Sequence, residues 1–166
     1  MRPFIPAVFV ALALCGCRSA PTAAFDPQAA EFINKQGVGT IEGHAFYRGE
    51  TGKVVYAAGE HVFLLPVTTY SEQRFTQVYG KGKYIQSKFM PWDDPDPQYK
   101  KYSRSTKAES NGRFTFERVA PGDYFVATSV SWQPENSLFV SGAAIYERVS
   151  LSGKETDPVK VIVSGK

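Results

Sequence analysis

Two cysteines, two methionines, two histidines and two tryptophans in 166 residues leave little material for several kinds of chemistry. Both cysteines, Cys15 and Cys17, stand near the start, so the chain after them holds no disulfide, no thiolate metal ligand and no thiol nucleophile. No uninterrupted apolar run reaches the roughly 20 residues of a spanning helix. There is no Gly-rich phosphate loop and no G-x-S-x-G elbow. The formal net charge of +3 is too small to single out nucleic acid as a partner.

Rings and turns are what the chain has in quantity. Its 12 Phe and 9 Tyr accompany 14 Gly and 11 Pro at short intervals, a mixture that leans towards β structure. Hydrophobic residues at 43% and charged residues at 21% place it among globular rather than disordered chains. A folded part of roughly 130 residues buries about two-thirds of its unfolded surface, enough for one core.

The opening MRPFIPAVFVALALCGCRSA carries Arg2, an apolar run from about Phe4 to Leu14, then small residues. That is the layout of a secretory signal, and the run is too short to cross a bilayer. Leu14-Cys15-Gly16-Cys17 resembles a bacterial lipobox, which implies cleavage before Cys17 and acylation (palmitate among the acyl groups) of Cys17. Two or more acyl chains, at about 0.8 kcal/mol per buried CH₂, would hold the domain on a membrane. Arg18 follows where an Asp would signal inner-membrane retention, so the resemblance implies an outer-membrane lipoprotein facing the periplasm. The expected divisions are 1–16 signal peptide, 17–37 acylated Cys, tether and short helix, and 38–166 the folded domain. In the tether, DPQAAEFINKQG predicts a helix with Asp26 as N-cap, Pro27 in the first turn and Gly37 past the end, with Ala29, Phe32 and Ile33 as its apolar stripe.

From Val38 the period is two. Ile41, Gly43 and Ala45 fall on one face of a strand, with Glu42, His44 and Phe46 on the other. KVVYAAGEHVFLLP predicts two strands broken at Gly59, and GRFTFERV, DYFVATSVSW, LFVSGAAIYERVSL and DPVKVIVS predict four more. Short strands between turns, without a long helical pattern, indicate an all-β sandwich. In AESNGRFTFERVAPGDYFVA, Asn111-Gly112 supplies a turn, Phe114 and Phe116 share one face, and Pro121-Gly122 turns a corner. Tyr124, just after that corner, is placed to return its hydroxyl to the loop backbone. These are structural positions; none is a nucleophile or a base.

The same stretch, with GTIEGHAFY and AAGEHVFLLP, resembles the carboxypeptidase regulatory-like domain over about residues 38 to 164. The resemblance implies a transthyretin-like (prealbumin-like) β-sandwich of the carbohydrate-binding-like group, usually without activity of its own. Two enzyme classes share that kind of sandwich. Hydroxyisourate hydrolases end in Tyr-Arg-Gly-Ser, whereas this chain ends VKVIVSGK. Intradiol dioxygenases use two Tyr and two closely spaced His, whereas His44 and His61 are well apart. His44 and His61, with Glu42 and Glu60 nearby, and the WDDPDPQY cluster of Asp93, Asp94 and Asp96 are the candidate metal ligands. No motif fixes either set, so the expectation is no metal and no cofactor.

Between about residues 70 and 105 the strand pattern is interrupted by a segment rich in rings: Phe75, Tyr79, Tyr84, Phe89, Trp92, Tyr99 and Tyr102. So long an insertion is usually functional or disordered, and its apolar load argues against disorder. SEQRFTQVY predicts two helical turns capped by Ser71, with Phe75, Val78 and Tyr79 inward. The insertion is expected to cover Phe46, Phe63 and Leu65 on the outer face of the early strands. Trp92, Tyr84, Tyr99 and Tyr102, interleaved with Lys100 and Lys101, are the candidate ligand-binding residues, since rings stack on sugars and amines pair with anions. The reading is a non-catalytic, lipid-anchored envelope protein that binds a glycan or peptide. A scaffold subunit of a membrane assembly is the alternative, and a metal-dependent enzyme comes third.

Overall fold

The computed structural model describes residues 23–49, 52–86, 96–135 and 137–166. The expected signal segment, Cys17, Phe89, Trp92, Asp93 and Asp94 lie outside the described residues.

Among the described residues nine strands form two sheets: β1 (Gln36–Arg48), β2 (Val54–Tyr56), β3 (His61–Pro66), β4 (Tyr84–Gln86), β5 (Arg104–Lys107), β6 (Arg113–Val119), β7 (Gly122–Trp132), β8 (Ser141–Leu151) and β9 (Val159–Val163). In the first sheet β1 is central, antiparallel to β6 and parallel to β9. The Ala45 N–H donates to the Gly112 carbonyl and the Ala45 carbonyl accepts from the Ala57 N–H. A strand residue aims both groups at one neighbour, so β6 and then β2 follow each other along one edge of β1 while β9 takes the other. The second sheet runs β4-β8-β7-β3-β5, with β7 and β8 paired from Gly122↔Leu151 to Trp132↔Ser141. The protein is an all-β sandwich.

The period-two pattern sets the core. Ile41 and Ala45 from β1, Phe114 and Phe116 from β6, and Val62 and Leu64 from β3 meet Tyr124, Val126 and Ile145 between the sheets. Complete burial of an aliphatic side chain of this size contributes about 1.5–3 kcal/mol. Gly43 shares the inward face because a Cβ there would lie 1.9 Å from the Phe114 ring. Gly112 has φ +80° and would set a Cβ against the Ala45 carbonyl at 2.3 Å, so the turn between β5 and β6 requires glycine. Asn111 Oδ1 accepts from the Arg113 N–H to close that turn. After Pro121-Gly122, Tyr124 Oη donates to the Ala120 carbonyl at 2.7 Å, a tyrosine corner.

Several local expectations are corrected. The tether helix is one α turn, α1 (Pro27–Ala30), capped by Asp26 as its N-terminal signals indicate, and then tightens into a 3-10 turn over Glu31–Asn34. Three residues per turn align Ala30 with Ile33, so these two are buried and Ala29 is exposed. Gly37 is not a cap: it lies within β1, where a Cβ would strike the Val119 carbonyl. The helix of the insertion, α2 (Thr69–Tyr79), starts earlier than expected. Its N-cap is Thr68, and Ser71 completes a reciprocal capping box and donates its own hydroxyl to the Pro66 carbonyl at 2.8 Å. Leu138, Phe139 and Val140 precede β8 rather than opening it, and all three are exposed.

The insertion is built into the sandwich. It supplies edge strand β4 to the second sheet and lays α2 on that sheet's outer face. Phe46 belongs to the first sheet, away from α2 and β4, the described elements that pack on the second, and Phe63 stays 43% exposed among the described residues. The rings covered instead are Phe125 on β7 and Tyr146 on β8, both packed against Phe75.

Candidate functional site

The two outer faces of the sandwich differ in how their polar groups are used. On the second sheet a groove of about 530 Å³ runs beside α2 and is bordered by Glu72, Lys83, Glu147 and Arg148. Arg148 bridges Glu72 and Asp123, each at 3.0 Å, and Lys83 bridges Glu147 at 2.6 Å. The Ser150 hydroxyl, and after it Arg148, hold the Asp123 carboxyl below its ordinary range. The charges along this groove neutralise one another.

Among the described residues the outer face of the first sheet has no such cover. His44 stacks on Tyr56 with ring centroids 5.4 Å apart and meets Phe46 at 5.1 Å. The register aligns Arg113 on β6 and Ile162 on β9 with His44, and Thr115 and Lys160 with Glu42. Tyr56 is 44% exposed and Ile162 61%. A cleft of about 240 Å³ lies among Glu42, Gly43, His44, Arg113, Lys160 and Ile162. No side-chain hydrogen bond or ion pair joins Glu42, Arg113 or Lys160 to another described residue. His44 Nε2 lies 2.7 Å from the Asn111 carbonyl. A carbonyl only accepts, so Nε2 is the donor in this contact. Apolar ring faces beside uncommitted donors and acceptors are what a sugar, with its C–H face and equatorial hydroxyls, requires.

Those of the residues singled out from the sequence that the structure describes do not form one surface. Tyr99 is 4% exposed, and Phe25, Tyr70 and Tyr99 form an interlocking ring cluster that Tyr102 joins through Phe25. Phe25 therefore packs against both Tyr99 and Tyr102. Lys100 and Lys101 are exposed on the 3-10 turn Tyr99–Lys101, in that same region. Tyr84 lies elsewhere, stacked on Tyr47 at 4.9 Å, and Tyr47 in turn stacks on Trp132 at 5.4 Å.

His44 and His61 sit on different sheets, so the strand pairing that would have joined them is absent. Glu60 is engaged by the hydroxyls of Ser129 and Ser131. Asp96 accepts from the Gln98 N–H. Among the described residues no three His, Cys, Asp or Glu side chains gather where they could hold a metal. Tyr56, Arg113 and Lys160 were not singled out from the sequence, although their places in the alternation put them on the outward side. What alternation alone does not give is which strand lies beside which.

No family model matches the chain, and no curated protein matches it. Among solved structures, the sandwich is similar to a Pseudomonas aeruginosa protein provisionally named a carbohydrate binding protein. The two are 22% identical, with a TM-score of 0.69, and the match covers 86% of this chain and 98% of that one. At that identity the similarity establishes a common fold.

Proposed function

We propose that the chain is a non-catalytic, lipid-anchored binding module of the bacterial envelope, held in the outer membrane through Cys17, that takes an envelope glycan on the open face of the first sheet. The observation that carries the reading is the contrast between faces. One face is closed by α2 with its charges paired, and the other presents the His44, Phe46 and Tyr56 rings beside Glu42, Arg113 and Lys160, whose side chains pair with no other described residue. The provisional name of the Pseudomonas aeruginosa neighbour supports the same ligand class, and the carboxypeptidase regulatory-like resemblance supports binding without chemistry. Also in favour of a non-catalytic role, the shifted ionisable groups among the described residues are tyrosines raised by burial, the Asp123–Arg148 pair of the closed face, and Glu155 held by Ser152 and backbone; none lines the cleft beside His44.

The test is sedimentation of the detergent-solubilised full chain with purified peptidoglycan, beside His44→Ala/Tyr56→Ala, Glu42→Ala/Arg113→Ala and Trp92→Ala variants. Co-sedimentation lost in the first two and kept in the third supports the open face. Loss only with Trp92→Ala moves the site to the insertion, and no sedimentation of the wild type removes the peptidoglycan reading.

A second reading, a docking subunit of a membrane assembly, is favoured by the tip of the β7–β8 connection, where Leu138 is 97% exposed beside exposed Phe139 and Val140. Crosslinking from position 138 in intact cells tests it, and the absence of any protein adduct removes it.

A further inference from the structure

We propose that a second site, a basic cleft at the start of β1, binds the phosphate of an anionic membrane lipid headgroup. The cleft, about 300 Å³, is lined by Ile33, Asn34, Lys35, Gln36, Arg104 and Arg118. Three cations and two side-chain amides line it and no carboxylate does; Glu31, outside the lining, accepts from the Asn34 amide at 3.5 Å, and Glu117 adjoins the cleft only in the chain.

The arginines are held in place by backbone rather than by acids. β1 is bulged here, with both Gln36 and Gly39 opposite Val119. Across the bulge Arg118 adopts φ +54°, the one non-glycine positive φ among the described residues. An arginine in that region is strained relative to an ordinary strand conformation, and such strain gathers at functional sites. With the backbone in this conformation, the carbonyls of Glu117 and Arg118 accept from Arg104 Nη2 at 2.6 Å and Nη1 at 3.3 Å. Two carbonyls orient the guanidinium without neutralising it, and a guanidinium has five N–H donors to share. Lys35 and Arg118 make no side-chain hydrogen bond or ion pair with any described residue. An oriented arginine without an acidic partner among the described residues, flanked by two further cations and the Gln36 amide, matches a phosphate group.

Position selects the source of that phosphate. Phe25 packs its ring against Tyr102, two residues before Arg104, so the incoming chain and the cleft lie at the same end of the sandwich. The stretch from Cys17 to Ala23, even fully extended, reaches only about 20 Å. An acylated Cys17 therefore keeps this end near the headgroups. Val38, close by in β1, is 79% exposed, an apolar contact of the kind found where headgroups meet acyl chains. The choice of a lipid rests on the anchored reading of Cys17, whereas the anion preference rests on the cleft alone.

The experiment compares the full chain, reconstituted in nanodiscs of phosphatidylcholine alone or of phosphatidylcholine with phosphatidylglycerol, by amide hydrogen exchange. A Lys35→Ala/Arg118→Ala variant runs alongside, with its thermal stability checked. A parallel arm adds inorganic phosphate to the chain in detergent, and intact mass reports acylation of Cys17. The expected result is exchange slowed several-fold over residues 33–37 and 117–119 in the anionic discs only, abolished in the variant and weakened by salt. Equal exchange in both discs, or slowing that persists in the variant, overturns the proposal. Slowing by inorganic phosphate without any effect of the anionic discs overturns the lipid source. Missing acyl mass sinks the anchored reading and with it the lipid source, while the phosphate arm still tests the cleft.

Discussion

Phe75 lies face to face with Phe125, ring centroids 4.1 Å apart and planes 14° from parallel. One ring belongs to the helix of the insertion and the other to the central strand of the second sheet, so this contact turns a segment that interrupts the strand pattern into part of the fold. Tyr146 closes on both rings edge-on.

Replacing Phe75 by Ala removes a buried ring and uncovers Phe125. Large-to-small changes of this kind cost about 3–5 kcal/mol. The lower end is expected, because the groove beside α2 is open and water can fill the space. Urea denaturation measures it; a loss under about 1 kcal/mol would mean that α2 is an appendage rather than a cover.

The tyrosine corner gives a smaller and cleaner effect. Tyr124 is completely buried, and its hydroxyl donates to Ala120 at 2.7 Å. Burial pushes that hydroxyl up to about 12, so it stays a donor at any ordinary pH. Tyr124→Phe keeps the ring and strands the Ala120 carbonyl, at a cost of about 1–3 kcal/mol. Its thermal midpoint should fall accordingly, with the circular dichroism of the native state unchanged.

Tyr99 predicts the opposite sign. Its hydroxyl is buried with no hydrogen-bond partner among the described residues, and burial raises its pKa above the usual tyrosine range. The ring packs on Phe25 and Tyr70, contacts that a phenylalanine keeps. Tyr99→Phe removes an unpaired polar atom and should stabilise the chain by about 1 kcal/mol. Phe25→Ala, by contrast, should destabilise it by withdrawing a ring from the same cluster. If Tyr99→Phe lowers the thermal midpoint, the hydroxyl has a partner after all.

Period-two alternation makes the inward faces legible in the sequence itself: Ile41 and Ala45, Phe114 and Phe116, Tyr124 and Val126 all turn to the core. It says which side of a strand a residue takes, but not which sheet the strand joins. That is why His44 and His61 look like neighbours in the sequence, and why Phe46, Phe63 and Leu65 look like one face. Strand order is set by long-range pairing, as in β1 with β9, between segments far apart in the chain. The candidate binding face is illegible for the same reason, since His44, Tyr56, Arg113 and Lys160 come from four different strands. The ring cluster of the insertion is visible as composition. Composition does not show that Phe25, from well before the insertion, packs into that cluster.

The connection between β8 and β9 gives a pH dependence whose sign follows from its geometry. Glu155 accepts from the N–H groups of Ser152 at 2.6 Å and Gly153 at 2.9 Å, and from the Ser152 hydroxyl at 2.7 Å. These bonds, with the Ser152 hydroxyl first among them, lower its pKa from 4.5 to about 2. A carboxylate whose folded pKa lies below its unfolded value binds fewer protons when folded. Its contribution is therefore complete above about pH 4.5 and fades as the pH falls towards about 2. Glu155→Gln should lower the thermal midpoint near neutral pH, and the gap from wild type should narrow across that acid window. Carboxyl carbon NMR of Glu155 measures the pKa directly, and a midpoint near 4.5 would show that the turn does not hold the charged form.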